Sequence, residues 1–265
     1  MRRPGKSPAG GDEIILGRNA TLEVLRAGRR TVGRVWVAEG VRESDVVAEI
    51  VRRAEARGIR IEGGSAGEWE AGGGKSHGVA AEVSAYPYVT LEDILLESAE
   101  RRQAPLVLLL DEVQDPQNLG TLLRTAEATG VHGVVLPYRR AAGVTPAVVR
   151  ASAGASEHLK VAAENLAQSI ERLQQEGVRI IGLEPGEAAG PLEEFDLRGP
   201  LGLVVGSEGE GMRRLVREHC DALARIPVHG RIGSLNAAVA GSIALYLVST
   251  QRLAAAAGAP PSGQH

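Results

Sequence analysis

The apolar run PLVLLL, residues 105–110, constrains the fold more than any other stretch of this chain. Six apolar residues without polar alternation fit a strand covered on both faces, the habit of parallel sheets in α/β folds. The run stops at Asp111, and a polar loop leads from it into a helical pattern. Similar runs recur downstream as HGVVLP, HLKVA, VRIIGLE, LGLVVG and LARIP. Helical patterns separate them at Leu119 to Thr129, Pro146 to Ala153, Asn165 to Gln175, Met212 to His219 and Ser234 to Leu253. Strands alternating with helices of that length require crossover connections, so residues 105–253 are expected to form a mainly parallel sheet with helices on both faces.

The preceding region reads differently. From Ile14 it runs as a helix in GRNATLEVLRAG closed by Gly28, the strand RVWVAE, and a helix in SDVVAEIVRRAEARG with Ser44 as N-cap. The short strands IRI and GVAAEV follow. Residues 13–84 therefore predict a small α/β sandwich, and residues 85–104, with Pro87 and the polar pattern LEDILLESAERRQ, a linker containing one helix. Residues 1–12 and 254–265 are charged or low in complexity and are expected to be disordered tails.

Composition removes several classes. The single cysteine, Cys220, cannot form an internal disulfide, and no Cys/His spacing suits zinc, so no metal is expected. The first residues lack the apolar middle of a secretory signal. The longest apolar run, AAVAGSIALYLV at 237–248, is shorter than the roughly 20 residues that span a bilayer. A cytoplasmic protein without a membrane segment is the expectation. The formal net charge of −3 divides unevenly, +5 over residues 1–60 and −8 over the rest. Phosphates are thus expected at the N-terminal part, unless the asymmetry only reflects solvated helix faces.

Two glycine-rich stretches invite a nucleotide-binding reading. Gly74-Lys75-Ser76 fails as a phosphate loop, because the required glycine five residues earlier is Trp69 and a strand pattern follows. The loop from Gly206 to Gly211 sits between a strand and a helix, as a dinucleotide fingerprint would, but its order is GxxGxG. Glu208 and Glu210 place negative charge where a pyrophosphate would lie, so a ligand bearing positive charge is better suited. That order also weighs against a nicotinamide-dependent oxidoreductase. In a purely structural reading the loop is a turn with capping glutamates.

Two further polar segments matter. In the helix expected from Leu119, Asn118 is placed as N-cap; Leu119, Leu122, Leu123 and Ala126 form the apolar face, leaving Arg124 and Glu127 pointing away. In IPVHGRIGSLN, residues 226–236, Gly230 and Gly233 permit unusual backbone angles and Ser234 is the expected N-cap. Asn236 has no packing reason to precede so apolar a helix, which points to a ligand contact.

The stretches NLGTLLRTAEATG, VVGSEGEGM and IPVHGRIGSLNAAVAGSIAL, in that order and spacing, resemble the three motifs of the SpoU-TrmH family of ribose 2′-O-methyltransferases within the SPOUT superfamily. ILGRNATLEVLRAG and SHGVAAEV resemble the RNA-binding domain of its ribosomal RNA members, which has the fold of a small ribosomal protein, so the likeness covers residues 14–252. GEGMRRLVREHCDALARIP is similar to enzymes that methylate a guanosine in the peptidyl-transferase region of 23S rRNA. The resemblance implies a deep trefoil knot, an exception to the rule that chains do not thread loops, and a homodimer packed through the C-terminal helix. It implies S-adenosylmethionine held by Gly206, Ile226 and Leu235, with Leu183, Gly211, Pro227, Ser234 and Asn236 completing its site. It places the catalytic positions at Asn118, Arg124, Glu208, Ser234 and Asn236. An always-protonated guanidinium is suited to gripping phosphate and stabilising a developing alkoxide, with Asn118 and Glu208 orienting it. SLNAAVA departs from the family's commoner SLNVSVA at two helix-compatible alanines. Other ribosomal RNA sites, including those of antibiotic resistance, and transfer RNA are alternative substrates. A non-catalytic ribosome-assembly factor is a further alternative, weakened because all five positions hold the family's residue types.

Overall fold

A computed structural model describes residues 12–42, 44–65, 69, 76–186, 188–230 and 233–258. The N-terminal tail up to Gly11 and the Gly74-Lys75 pair of the rejected phosphate loop lie outside the described residues.

The small sheet contains β1 (Glu13–Leu16), β2 (Val32–Ala38), β3 (Arg60–Gly64) and β4 (Val79–Val83) in the order β1-β4-β2-β3. β4 runs antiparallel to β1 and β2, while β2 and β3 are parallel. The helices α1 (Arg18–Ala27) and α2 (Asp45–Ala56) pack beside it, and Ser44 caps α2 by accepting from the Val47 amide at 3.4 Å. Gly28 closes α1 in the left-handed region at φ 63°, where a side chain would be strained. β1 has no counterpart in the sequence reading, since three consecutive apolar residues carry no period.

The large sheet holds β5 (Leu106–Leu110), β6 (Gly133–Leu136), β7 (Lys160–Ala163), β8 (Arg179–Leu183), β9 (Gly190–Pro191), β10 (Leu201–Val205) and β11 (Ala222–Arg225). Their order is β7-β6-β5-β10-β8-β11-β9, with every pairing parallel. Alternate residues of β5 serve opposite faces: Leu106, Leu108 and Leu110 join one buried cluster, and Val107 and Leu109 the other. This double coverage explains the unbroken apolar run. The helices are α3 (Leu91–Glu100), α4 (Pro116–Ala128), α5 (Pro146–Ala151), α6 (Leu166–Gln175), α7 (Arg214–Glu218) and α8 (Ala237–Gly258).

Several helix ends differ from expectation. α4 starts at Pro116, and its N-cap is Asp115, whose carboxylate accepts from the amides of Gln117 at 3.2 Å and Asn118 at 3.3 Å. Asn118 is thus inside the first turn with its side chain available for other work. α8 starts at Ala237, and Asn236 rather than Ser234 caps it, accepting from the Ala238 and Val239 amides at 2.9 and 3.1 Å. α8 also continues through Gly258, past the boundary placed at Leu253, because Ala254 to Ala257 are the strongest helix formers.

The two sheets share one apolar cluster, running from Ile15, Leu25 and Ile50 to Leu108, Leu122 and Leu245. A polar clamp reinforces the junction. Arg30, its side chain fully buried, donates to Glu13 at 2.7 Å and lies 3.0 Å from the carboxylate of buried Glu157. Arg29 donates to the carbonyls of Leu159, Glu157 and Pro87. The Tyr86 hydroxyl donates to those of Ser156 and Leu159 at 2.8 and 2.9 Å. The segment between the sheets is equally integrated: Val89 pairs with Ala162 at the sheet edge, and Ile94 of α3 fills the space that a Gly133 side chain would need.

Candidate active site

Chain order reverses direction across the sheet between β5 and β10, the switch point where open parallel sheets bind ligands beyond their carboxyl ends. The loop from Gly206 to Gly211 leaves β10 at that end. Ser207 and Gly211 exchange backbone hydrogen bonds of 3.0 and 3.2 Å, and Gly209 and Gly211 have φ of 86° and 70°. A Cβ on Gly206 would lie 2.3 Å from the Gly211 carbonyl carbon, so only glycine permits so tight a return. Beyond the loop, the Arg213 amide and guanidinium each donate at 2.8 Å to fully buried Asp111 at the end of β5. That ion pair raises the arginine's affinity for its proton and ties the ends of the two central strands together. Asp111 and Arg213 carry no mutual signal in the sequence, being 102 residues apart.

Two distant segments meet at this loop. Asn118 donates from Nδ2 to Glu208 Oε1 at 2.9 Å, and Asn236 donates from Nδ2 to Asn118 Oδ1 at 3.2 Å and to the same Glu208 oxygen. Asn236 therefore does two jobs, capping α8 with its carbonyl and joining the cluster with its amide. Both donors fall on the Glu208 carboxylate, which makes it an organising anion rather than an idle surface charge.

A cleft of about 770 Å³ opens beside the cluster, within the range of small-molecule sites. Its wall includes Leu183, Gly206, Gly211, Ile226, Pro227, Ser234, Leu235 and Asn236, every position expected to meet a cofactor. Glu184, Met212 and His229, which the sequence reading did not single out, line it too. Ser234 is exposed and makes no side-chain hydrogen bond among the described residues. Arg124 stands apart. It is exposed on α4 and makes no hydrogen bond or ion pair among the described residues, so the expected orientation by Asn118 and Glu208 is not seen. Those two partners instead bind each other and Asn236. No cluster of potential metal ligands occurs among the described residues, and no helix among them is long and apolar enough to cross a membrane.

The family model described as the SpoU rRNA Methylase family matches residues 105–246, and the one described as RNA 2′-O ribose methyltransferase substrate binding matches residues 14–89. The chain belongs to the SpoU rRNA methylase family. It is an RNA methyltransferase. Among SpoU relatives, it is 42% identical over 249 residues to the 23S rRNA (guanosine-2′-O-)-methyltransferase RlmB of Pseudomonas aeruginosa, covering 91% of this chain and 97% of that one. It is 39% identical over 246 residues to an uncharacterized tRNA/rRNA methyltransferase of Mycolicibacterium vanbaalenii, covering 92% and 78%. The SpoU methyltransferase AviRb of Streptomyces viridochromogenes, solved in complex with AdoMet, shares the fold with a TM-score of 0.76 over 92% of each chain at 24% identity.

Proposed function

We propose that this SpoU protein transfers the methyl group of S-adenosylmethionine to the ribose 2′-hydroxyl of a guanosine in the peptidyl-transferase region of 23S rRNA. The supporting observation is that eight positions from three distant segments line one cleft beside the Asn118–Glu208–Asn236 cluster. The residues fit the cofactor: the glycine-tight loop exposes backbone to a close ligand, and the Glu208 carboxylate favours positive charge. S-adenosylmethionine would supply a methyl on a sulfonium, held by Leu183, Gly206, Gly211, Ile226, Pro227, Ser234 and Leu235. Such a transfer needs in-line positioning of the acceptor oxygen.

Within this reading the cluster fixes the loop shape and the start of α8, while Arg124, free of internal partners among the described residues, grips an RNA phosphate and stabilises charge developing on the ribose oxygen. Ser234, open at the rim, orients the acceptor sugar. Residues 13–84 form the RNA-gripping domain and 105–253 the catalytic domain, with the trefoil knot near its C-terminal end. The exposed apolar residues Val239, Ile243, Tyr246 and Leu253 recur along one side of α8 and support a homodimer through that helix. The protein works in the cytoplasm, where its RNA is made.

The test is methyl transfer from tritiated S-adenosylmethionine to 23S rRNA fragments, with the modified nucleoside mapped by mass spectrometry. Wild type labels one guanosine ribose. Arg124→Ala loses roughly 100-fold or more of the turnover while retaining cofactor affinity, on the scale of removing a group that stabilises transition-state charge. Undiminished turnover by Arg124→Ala refutes the role, and label on a base or on transfer RNA alone refutes the substrate.

A further inference from the structure

A second cavity, of about 310 Å³, lies between the loop after β6, the start of α6 and the segment from Arg213 to Val216. Its rim carries Tyr138 at 68% exposure and Leu215 at 53%, a large aromatic and a large aliphatic side chain turned to solvent. Beside Tyr138, Arg139 is exposed and makes no ion pair or hydrogen bond among the described residues. The acidic group in the wall is not available to neutralise it. Glu164 already accepts from the Leu91 amide at 2.9 Å, the Ser169 hydroxyl at 3.2 Å and Arg172 at 3.1 Å.

We propose that this cavity receives one unstacked nucleotide of the substrate RNA, other than the one that reacts, with its base on the Tyr138 ring and its phosphate on Arg139. The inference rests on the assignment of RNA as substrate. Single-stranded RNA is recognised by splaying bases onto aromatic rings and guanidinium planes, and a ring beside an unpaired cation at the mouth of a nucleotide-sized cavity supplies both. The location suits a subsite. Arg213 in its wall lies two residues past the loop that carries Glu208, and Ala142 of the Tyr138 loop donates to the Val113 carbonyl at 3.0 Å, on the segment that leads to Asn118. In this arrangement the segments that wall the cavity are continuous along the chain with those that carry Asn118 and Glu208. An apolar partner protein would suit Tyr138 and Leu215 but would leave the Arg139 charge without an anion.

The experiment compares wild type, Tyr138→Ala, Tyr138→Trp, Arg139→Ala and Arg139→Lys on a transcript of the 23S peptidyl-transferase region, by methyl transfer and by fluorescence anisotropy. Both positions changed are on the surface, so melting temperatures should stay level. Tyr138→Ala is expected to raise the KM for RNA about 10-fold with kcat and cofactor affinity unchanged, Tyr138→Trp to restore it, and Arg139→Ala to weaken binding with a shallower salt dependence. Equal RNA affinity for wild type and Tyr138→Ala overturns the proposal and leaves the patch to a protein partner. Loss that Tyr138→Trp fails to restore also overturns it, because stacking tolerates any aromatic ring. Should wild type bind the transcript but methylate nothing, the substrate assignment fails separately, and the anisotropy series still decides the cavity.

Discussion

Replacing Arg30 by methionine tests how the two sheets are held together. Methionine keeps the length of the buried stem and removes the charge, so the change isolates electrostatics from packing. Arg30 has no exposed side-chain surface and Glu157 only 1%, and removing one partner of such a pair leaves the other buried and uncompensated, at a cost of roughly 3–5 kcal/mol. For a chain of this size each kcal/mol moves Tm by about 2–4 °C, so a fall of roughly 6–20 °C is expected. Burial already pushes the Glu157 carboxyl above the ordinary range, with Arg30 and Arg29 pulling it back. Without Arg30 it rises further. A carboxyl raised in the folded state adds stability on the acid side of its unfolded value and loses it as pH climbs through the folded value. The deficit of Arg30→Met should therefore be largest near neutrality and shrink as pH falls toward 5. Differential scanning calorimetry across that range measures it, and the double change Arg30→Met with Glu157→Met should recover much of the loss, since an apolar pair carries no desolvation cost. A Tm within about 2 °C of wild type at neutral pH would refute the reasoning.

Gly206→Ala places a Cβ 2.3 and 2.5 Å from backbone atoms of Gly211 and Met212, so the loop must open; isothermal titration should show S-adenosylmethionine affinity down about 10-fold or more, a loss of ~1.4 kcal/mol. Gly120→Ala meets Ala151 Cβ at 2.4 Å and backbone atoms at 2.9 Å across the α4–α5 contact. The helix-propensity gain of about 1 kcal/mol should be outweighed by ~1–3 kcal/mol of overpacking, read as a lower urea midpoint. Burial pushes the Cys220 thiol up to about 12, so a disulfide reagent at pH 8 should label it slowly in the native protein and rapidly once urea unfolds it.

The parallel sheet was legible because β5, β6, β8 and β10 are buried on both faces, which forbids polar alternation and leaves a plain trace in the sequence. β1 and the two-residue β9 were not, being too short to show a period. The displaced caps have a local cause. The first apolar residue, Leu119, suggests the start of α4, whereas Asp115 followed by Pro116 is the stronger signal, proline at the first helical position being preorganised for it. In SLN both polar residues can cap, and Asn236 prevails because its amide is also wanted by Glu208 and Asn118. The cleft residues were legible only through three motifs taken together. What no motif carries is the Asp111–Arg213 tie, the clamp at Arg30 and the cavity beside Tyr138, all of which depend on tertiary neighbours.

The meeting of Asn118, Glu208 and Asn236 has a consequence for the order in which the site assembles. Its three hydrogen bonds close loops of 90, 118 and 28 residues, so none forms from local sequence, and such non-local closure is slow. The cluster is therefore completed late, once Asn236 and the start of α8 have docked against the loop that carries Glu208.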